Sequence, residues 1–444
     1  MSKLPVGWVE SSLNAVASLN MGQSPLGEFT NKEGRGLPLI GGAADYEDDA
    51  LSPSRHTSTP TKVCRAGDIV LCIRATIGKA AFADREYCLG RGVAGVRAHV
   101  EPAWLRWKLV ESADALDAAG VGTTFRQIDK QTLEKWPIRL PPLLEQRRIV
   151  AKIESLTDKS IRARDQLDHI PRLVEKYKQA VLEAAFRGDL TREWREASKA
   201  SDTWSLVSLD ELVDEGPTNG WSPKSGPDAT GALTLKLTAT TSGMMRLDAD
   251  AVKRIFESPA RTSSYWLRPG DLLVQRANSL EYVGASAIFD GPPNTYIYPD
   301  LMMRLRIYDH DKRRYVWRFL NSPKAREYLQ RHATGTAGNM PKISGATLRA
   351  LIVPVPSLDA EYAEVVRRVE TAFAWIDRLT SETISAHRLI DHLDQAILAK
   401  AFRGELVPQD PTDEPASVLL ERIGAERGTA PKVRRGRGRP RLSS

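Results

Sequence analysis

The residues best suited to chemistry in this chain are hydrogen-bonding side chains in three loops, and each loop occurs twice. Gly22-Gln-Ser-Pro25 has a counterpart in Gly220-Trp-Ser-Pro223, and the loop at 120–127 has one at 335–342. The third pair of loops follows two predicted strands that each begin with Gly-Asp. Arginine, lysine, glutamine and asparagine can form paired hydrogen bonds with base edges of nucleic acids. This is the chemistry of recognition rather than of bond cleavage.

Catalytic motifs are missing from the sequence. Leu140-Pro-Pro-Leu143 and Gly291-Pro-Pro-Asn294 lack the residues of an Asn-Pro-Pro-Tyr-type amino-methyltransferase motif. Gly78-Lys79 has neither the upstream glycine nor the hydroxyl of a phosphate-binding loop. The seven histidines lack metal-ligand spacing, and Pro299-Asp300 lacks the downstream acid-x-lysine of a nuclease. We therefore expect a binding protein with no catalytic residue, metal or cofactor of its own.

The polar loops belong to a repeat that covers nearly the whole chain. Gln179-Ala-Val-Leu-Glu-Ala-Ala-Phe-Arg-Gly-Asp-Leu190 returns as Gln395-Ala-Ile-Leu-Ala-Lys-Ala-Phe-Arg-Gly-Glu-Leu406, with eight of twelve positions identical. The offset between matching positions drifts from 196 to 215 through the globular parts and then stays at 216. Loops tolerate insertions and packed scaffolds do not. The sequence therefore predicts two copies of a variable globular part followed by a part of fixed length.

The composition indicates a soluble protein with a basic C-terminus. The chain has 444 residues, of which 41% are hydrophobic, which is enough for two sizeable cores. It has neither an apolar run of about 18 residues nor an apolar signal core, so we expect a cytoplasmic protein without a membrane segment. Cys64, Cys72 and Cys88 are interpreted as reduced packing residues. The net charge of +7 lies entirely in residues 427–444.

The part of fixed length reads as a long helix with a heptad seam in each copy. Steps of alternating four and three residues meet mostly apolar side chains from Ile149 onward and, 216 residues later, from Val365 onward. The predicted seam residues are Ile149, Ile153, Leu156, Leu167, Ile170, Val174, Val365, Val369, Ile376, Leu379, Ile390, Leu393 and Ile397. Pro171 predicts a break near Ile170. We expect the two helices to pack on each other; the alternative is that each packs on its own globular domain.

The variable parts read as mixed α/β. Apolar runs at 68–73, 271–275 and 301–307 predict strands, and 104–110 and 315–320 predict matching short helices. A further strand, 136–140 in the first copy and 351–355 in the second, leads into each long helix.

These features together resemble the specificity subunit of type I DNA restriction-modification enzymes. The resemblance covers about residues 5–425, and its most specific parts are the duplicated Phe-Arg-Gly element and the paired Gly-Asp strands. It implies an α+β fold: two tandem mixed α/β target-recognition domains, each followed by a long helix, with the two helices pairing as an antiparallel coiled coil. The implied segments are 1–141 (first recognition domain), 142–190 (first long helix), 191–203 (linker), 204–356 (second recognition domain), 357–406 (second long helix) and 407–444 (tail, disordered from 427).

The resemblance also implies function and partners. Each domain would read one half of an asymmetric bipartite sequence in double-stranded DNA, and the coiled coil would set the unspecified spacer. Two methyltransferase subunits and the restriction subunits would bind the chain, and S-adenosylmethionine, ATP and Mg would belong to those partners.

Candidate DNA-binding residues follow from side-chain type and loop position. They are Gln23, Ser24, Arg74, Lys79, Arg126, Gln127, Lys130, Ser222, Lys224, Gln275, Arg276, Asn278, Asn339 and Lys342. The alternative for each is an ordinary solvated loop residue. In the tail, Arg437 and Arg439 lie in Arg435-Gly-Arg-Gly-Arg-Pro-Arg441, which resembles an AT-hook for the minor groove of A·T tracts; the alternative is generic phosphate attraction.

Two other functions compete with DNA recognition. A coiled-coil adaptor or DNA mimic could bind the methyltransferase without reading DNA, but a mimic should carry acidic globular faces, and outside 427–444 basic and acidic residues balance. A stand-alone enzyme is disfavoured by the missing motifs.

Overall fold

A computed structural model describes residues 4–47, 49–122, 126–201, 203–335 and 340–429. The chain forms two compact units, and one of them is assembled from two segments that are far apart in the sequence. The first unit comprises Met1–Leu167 together with Ser385–Ser444, and the second is Asp168–Ile384. Each unit therefore contains one globular part and a portion of both long helical regions, whereas the sequence was divided into consecutive segments.

The first unit contains thirteen short strands among its described residues. They are β1 (Val9–Ser12), β2 (Ala17–Met21), β3 (Thr30–Asn31), β4 (Leu37–Ile40), β5 (Tyr46–Glu47), β6 (Ala50–Leu51), β7 (Arg55–Thr57), β8 (Val63–Cys64), β9 (Ile69–Cys72), β10 (Ala80–Phe82), β11 (Tyr87–Leu89), β12 (Val93–Ala98) and β13 (Pro137–Leu140). A four-stranded sheet has the order β10-β9-β12-β2, a five-stranded sheet the order β3-β7-β4-β11-β8, and β1 pairs with β13. β9 is fully buried.

Helices cover the four-stranded sheet of the first unit. They are α1 (Leu13–Val16), α2 (Pro102–Glu111), α3 (Ala113–Ala119), α4 (Lys130–Glu134) and the first long helix α5 (Leu143–Asp168), with 3₁₀ turns at Gly27–Phe29 and Ala43–Asp45. The core joins β9 and β12 to Trp104 of α2 and to Ile149 and Ile153 of α5.

The second unit repeats this plan with fewer strands. Its helices are α6 (Ile170–Phe186), α7 (Arg192–Ser198), α8 (His310–Leu320), α9 (Pro323–Arg331), α10 (Gly345–Arg349) and α11 (Asp359–Arg403), the last of which continues into the first unit. Its strands are β14 (Ser205–Ser208), β15 (Glu215–Asn219), β16 (Leu233–Leu235), β17 (Val252–Arg254), β18 (Leu272–Gln275), β19 (Ser286–Ile288), β20 (Tyr296–Ile297), β21 (Met302–Arg306) and β22 (Ile352–Val355), with 3₁₀ turns at Leu209–Leu212 and Leu237–Ala239.

The four-stranded sheets of the two units correspond strand by strand. The order β15-β21-β18-β19 matches β2-β12-β9-β10, β14 pairs with β22 as β1 does with β13, and the smaller sheet is β17-β16-β20. The strands predicted at 68–73, 271–275 and 301–307 lie at β9, β18 and β21, and the predicted short helices lie within α2 and α8.

The repeated Gly-Asp element anchors the central strand in both units. Asp68 accepts hydrogen bonds from the backbone of Arg65 at 2.9 Å and from the guanidinium of Arg97 at 2.7 and 2.8 Å. Asp271 does the same with Arg268 N at 2.9 Å and Arg306 Nε at 2.7 Å. The hydrogen bonds with Asp68 raise the pKa of Arg97, so the guanidinium stays charged. The repeat preserves this element because it ties neighbouring strands together.

The long helices pair within each unit and run in opposite directions. In the first unit, Ser160 Oγ donates to Asp394 Oδ1 at 2.6 Å and Arg164 Nη2 donates to Asp391 Oδ1 at 2.8 Å. In the second unit, Lys178 Nζ donates to Asp377 Oδ1 at 2.8 Å. Residue numbers thus rise on one helix as they fall on the other. The first helical region is divided between Asp168 and Ile170, where Pro171 occupies the first turn of α6.

Most residues of the predicted seam are buried or half-buried, and one of them is exposed. Six of its residues are buried: Ile149, Ile153, Val365, Val369, Ile376 and Ile397. Leu156, Leu167, Ile170, Val174, Leu379 and Ile390 are half-buried. Leu393 is 53% exposed, so its assignment to the seam is corrected. On a straight helix, a seam with an average step of 3.5 residues drifts by about 20° per heptad. By this point of the helix the neighbouring residue Asp394, rather than Leu393, faces the partner helix, where it contacts Ser160.

The segments that follow the long helices contain further helices among their described residues, and the last of these helices continues to Thr429, beyond the predicted start of disorder at 427. The linker at 191–203 contains α7, whose Arg195 is buried and donates to Glu361 Oε1 at 2.8 Å. The tail contains α12 (Ala416–Thr429), which buries Ala416, Leu419 and Ile423 in the first unit. Both segments therefore continue the core of their unit.

Two equivalent glutamates at the starts of the long helices have different partners. Glu361, at 0% exposure, accepts from Arg195 and, at 2.6 Å, from Thr191 Oγ1. Glu145, 216 residues earlier and 1% exposed, accepts instead from the uncharged Trp8 Nε1 at 3.0 Å. Each glutamate also has one oxygen without a partner among the described residues, Oε1 in Glu145 and Oε2 in Glu361. Burial raises the pKa of Glu145 to about 7.

None of the helices in the described part of the chain combines the length and the apolar character that a membrane span requires.

Replacing Glu145 tests this asymmetry. The folded pKa of about 7 exceeds the ordinary 4.5, so the folded state holds the proton more tightly and its free energy of unfolding falls as pH rises from about 4.5 to about 7. Glu145→Gln should remove a loss of roughly 2 to 3 kcal/mol over that range, measured by denaturant unfolding at a series of pH values.

The matched control is Glu361→Gln, which leaves Arg195 without its carboxylate and should destabilise the protein at every pH in that range. Parallel pH profiles for the natural protein and Glu145→Gln would refute the assignment.

Candidate nucleic-acid interface

Three loops meet at one end of the four-stranded sheet in the first unit. The Gly22–Pro25 loop is held by Gln23 N, which donates to Leu89 O at 2.8 Å. The loop after β9 is held by Ile73 N, which donates to Gly92 O at 2.9 Å, and by Ala75 N, which donates to Arg126 O at 3.1 Å. A backbone bridge between Arg74 and Gln127 completes the connection. The surface therefore rests on main-chain hydrogen bonds, which do not depend on side-chain identity.

The second unit brings its three loops together in the same way. Trp221 N donates to Tyr298 O at 2.9 Å, Arg276 N to Leu301 O at 2.8 Å, and Ile343 N to Arg276 O at 2.9 Å. Lys342 forms backbone bridges with Ala277 and Thr334. Each predicted loop of one unit thus has a structural counterpart in the other.

Glycines permit the close approach of these loops. A Cβ on Gly22 would lie 2.1 Å from Gly90 O, and one on Gly220 would lie 2.1 Å from Tyr298 O. The glycines after the central strands, Gly78 and Gly284, have φ of 94° and 81°, and a Cβ there would lie 2.4 Å from Ala113 and Leu329. The repeated glycines are therefore required by packing and backbone conformation.

The predicted residues of the first unit differ in what they contact. Gln23, Ser24 and Gln127 are exposed, and Arg74 is half-buried. Arg126 donates to Asp117 Oδ2 at 3.1 Å, Lys130 lies 3.3 Å from Glu134, and Lys79 lies over the Tyr46 ring at 5.4 Å.

In the second unit, the prediction for Gln275 is wrong. Gln275 is fully buried, and its Nε2 donates to Leu237 O at 2.8 Å, Thr240 Oγ1 at 2.9 Å and Thr241 Oγ1 at 3.1 Å. Its Oε1 accepts from Asn278 Nδ2 at 2.6 Å, so both amides are occupied by each other and by the scaffold. The position ends a strand that is buried throughout, which sequence alternation did not reveal.

The remaining predicted residues are accessible or lie outside the described residues. Ser222, Lys224 and Lys342 are exposed, and Arg276 is half-buried, with Nη1 donating to Asp300 O at 3.4 Å. Asn339, Arg437 and Arg439 lie outside the described residues.

Two residues at this surface were missed by the sequence analysis. Arg91 follows β11 of the five-stranded sheet and Asp300 follows β20 of the three-stranded sheet, and each contacts the serine of the Gly-x-Ser-Pro loop in its unit. The sequence signal for the first was Gly90-Arg-Gly92, an arginine between two glycines. Among the described residues, no group of three or more histidine, cysteine, aspartate or glutamate side chains is arranged to hold a metal ion.

Comparisons with known proteins agree with this architecture. A family model described as a type I restriction modification DNA specificity domain matches residues 5–170. The chain is 28% identical to the EcoKI specificity subunit of Escherichia coli (strain K12), with 96% of this chain and 97% of the relative covered. It is 27% identical to the StySPI specificity subunit of Salmonella potsdam, with 96% and 97% covered.

Solved structures share the fold. The crystal structure of the HsdS subunit from Thermoanaerobacter tengcongensis has a TM-score of 0.56 at 21% identity, covering 91% of this chain and 99% of that chain. A chain from a study of complex assembly and conformational transition of a type I R-M system has a TM-score of 0.65 at 21% identity, covering 91% and 100%.

Substitutions of the neighbours Gln275 and Arg276 should distinguish a buried scaffold residue from a surface residue. Gln275→Ala should lower the free energy of unfolding by about 2 to 4 kcal/mol, because buried hydrogen-bond partners lose their donor. Arg276→Ala should leave stability within about 0.5 kcal/mol and, if Arg276 makes a bidentate base contact, should weaken discrimination between DNA sequences by about 1 to 3 kcal/mol. Denaturant unfolding and competition binding measure the two effects. An equal loss of affinity for all DNA sequences would make Arg276 a phosphate contact.

Proposed function

Since this chain belongs to the family of type I restriction enzyme specificity subunits and acts as a DNA-sequence-specificity subunit, we propose that its two units read the two halves of a bipartite, asymmetric DNA sequence. The observation that carries the proposal is the duplicated three-loop surface at the end of the four-stranded sheet. The two copies differ in their exposed side chains. Two surfaces of one design with different side chains suit a site with two unlike halves.

The paired helices are proposed to form the antiparallel coiled coil that sets the spacer between the half-sites. Support comes from the opposite direction of the contacts within each unit: Ser160 with Asp394, Arg164 with Asp391, and Lys178 with Asp377.

The chain is proposed to be non-catalytic and to direct two methyltransferase subunits and the restriction subunits to this site. S-adenosylmethionine, ATP and Mg would be bound by those partners. Support for a protein partner comes from an apolar groove in the second unit, between α6 and the adjoining part of α11. Leu173, Tyr177 and Trp375 line it and are 60%, 52% and 59% exposed. An exposed apolar groove of this kind is typical of a protein interface.

Mapping N6-methyladenine across the host genome tests the function. With this chain present, a two-part motif with a fixed unspecified spacer should be methylated, and deletion of the chain should abolish that motif alone. The matched control is deletion of 430–444, which leaves both described units intact. If no bipartite motif is lost on deletion of the whole chain, the proposed function is wrong.

The basic tail is proposed to add affinity without specificity. The structure places Arg427 in α12, where it donates to Asn14 O, so a deletion should begin after Thr429. Removal of 430–444 takes away six cations and should flatten the dependence of DNA affinity on salt by several units of log–log slope. Titration of non-cognate DNA at several salt concentrations measures this effect.

The methylated motif should stay the same in that deletion. A changed motif would instead make the tail part of sequence recognition. Within the tail, replacing Arg437 and Arg439 by lysine keeps the charge, so a selective loss of affinity for A·T tracts would identify an AT-hook.

A further inference from the structure

Arg91 and Asp300 occupy equivalent positions in the two recognition surfaces. Arg91 N donates to Ser24 Oγ at 3.2 Å, and Asp300 N donates to Ser222 Oγ at 3.0 Å. In both cases the serine belongs to the repeated Gly-x-Ser-Pro loop. The neighbouring residues Gly92 and Leu301 accept from the loop after the central strand at 2.9 and 2.8 Å. Each of the two residues therefore sits where the loops of its unit converge.

The backbone around Arg91 is fixed by close packing. Gly90 N donates to Ile40 O at 2.7 Å, and a Cβ on Gly92 would lie 2.3 Å from Gly41 O. The Arg91 side chain itself is exposed, and within the described part of the chain its guanidinium makes no ion pair or hydrogen bond. Because the backbone is already fixed, ligand binding by Arg91 would not have to order the loop, and its guanidinium would have no hydrogen bond to break within the described part of the chain.

Asp300 presents a carboxylate from the corresponding position. Its backbone carbonyl accepts from Arg276 Nη1 at 3.4 Å, and its Oδ1 accepts from the Ser222 hydroxyl. A carboxylate has more lone pairs than these contacts use, so it can accept a further hydrogen bond. Asp300 is exposed.

We propose that Arg91 and Asp300 are equivalent specificity-determining residues, with Arg91 reading a guanine in one half-site and Asp300 a cytosine in the other. The inference rests on the proposed function. A guanidinium pairs with O6 and N7 of guanine in the major groove, and a carboxylate accepts from the N4 amino group of cytosine. The common position on the scaffold implies that the two bases occupy corresponding places in their half-sites.

Other cations of the first surface are less suited to this role. Arg126 and Lys130 are engaged by Asp117 and Glu134, and Lys79 lies over the Tyr46 ring. A base contact by any of them would first have to break these interactions. Arg91 has no such interaction to lose within the described residues.

The test is the methylated motif of cells that express the full chain with its methyltransferase subunits. Arg91→Ala should remove the requirement for one guanine in one half-site, and competition binding should show discrimination at that base pair falling roughly 5- to 150-fold. Arg91→Lys keeps the charge but loses the planar fork, so part of the discrimination should go as well. Arg85→Ala is the matched control, because this exposed arginine precedes β11 whereas Arg91 follows it.

Asp300→Asn should change the other half-site alone. An asparagine pairs with N6 and N7 of adenine, so the required cytosine should be replaced by, or joined by, adenine. Thermal unfolding of each variant checks that the fold is retained.

The outcomes separate the inference from the function on which it rests. If the natural chain directs a bipartite motif and Arg91→Ala leaves every base requirement unchanged, Arg91 is not a specificity determinant. A uniform loss of affinity would assign it to phosphate instead. If the natural chain directs no bipartite motif, the proposed function itself fails.

Discussion

The structure depends on the burial of a phenylalanine at the end of each long helical region. Phe186 packs against Tyr315 and Phe319 with ring centroids 5.1 Å apart, and Phe402 packs against Trp104 at 5.9 Å. Since consecutive residues on a helix are rotated by about 100°, inserting one residue upstream would turn the phenylalanine away from its core. Each helix must therefore keep its length, which explains why the offset between the copies stays at 216 there and drifts elsewhere.

The recognition loops are under a weaker constraint, because backbone hydrogen bonds and a few glycines hold them. Ile73 N and Arg276 N donate to corresponding carbonyls although the residues differ. The five-stranded sheet of the first unit corresponds to only three strands in the second. Side chains and even strands at this end can change without disturbing the central strand, which Asp68 and Asp271 anchor at the opposite end.

Periodicity and repetition were sufficient to predict the central strands, the short helices and the long helical regions, because these features are local. They were not sufficient where a tertiary contact determines whether a residue is buried. Arg195 lies in a polar stretch that reads as a linker, and the contacts of Thr191 and Arg195 with Glu361 make that stretch part of a core. Gln275 has the side chain of a base reader, yet Leu237, Thr240 and Thr241 enclose it. The loops were placed correctly, whereas burial within them was not predictable from side-chain type.

The serine of the Gly-x-Ser-Pro loop shows how one scaffold can serve two different surfaces. Its hydroxyl accepts from the backbone amide of Arg91 in one unit and from that of Asp300 in the other. The main chain therefore makes the same hydrogen bond in both units, although the side chains of these two residues differ. A cation and an anion can exchange there without loss of a scaffold hydrogen bond. Recognition can therefore diverge between the copies by single substitutions, while the glycines and aspartates that build the loops remain common to both.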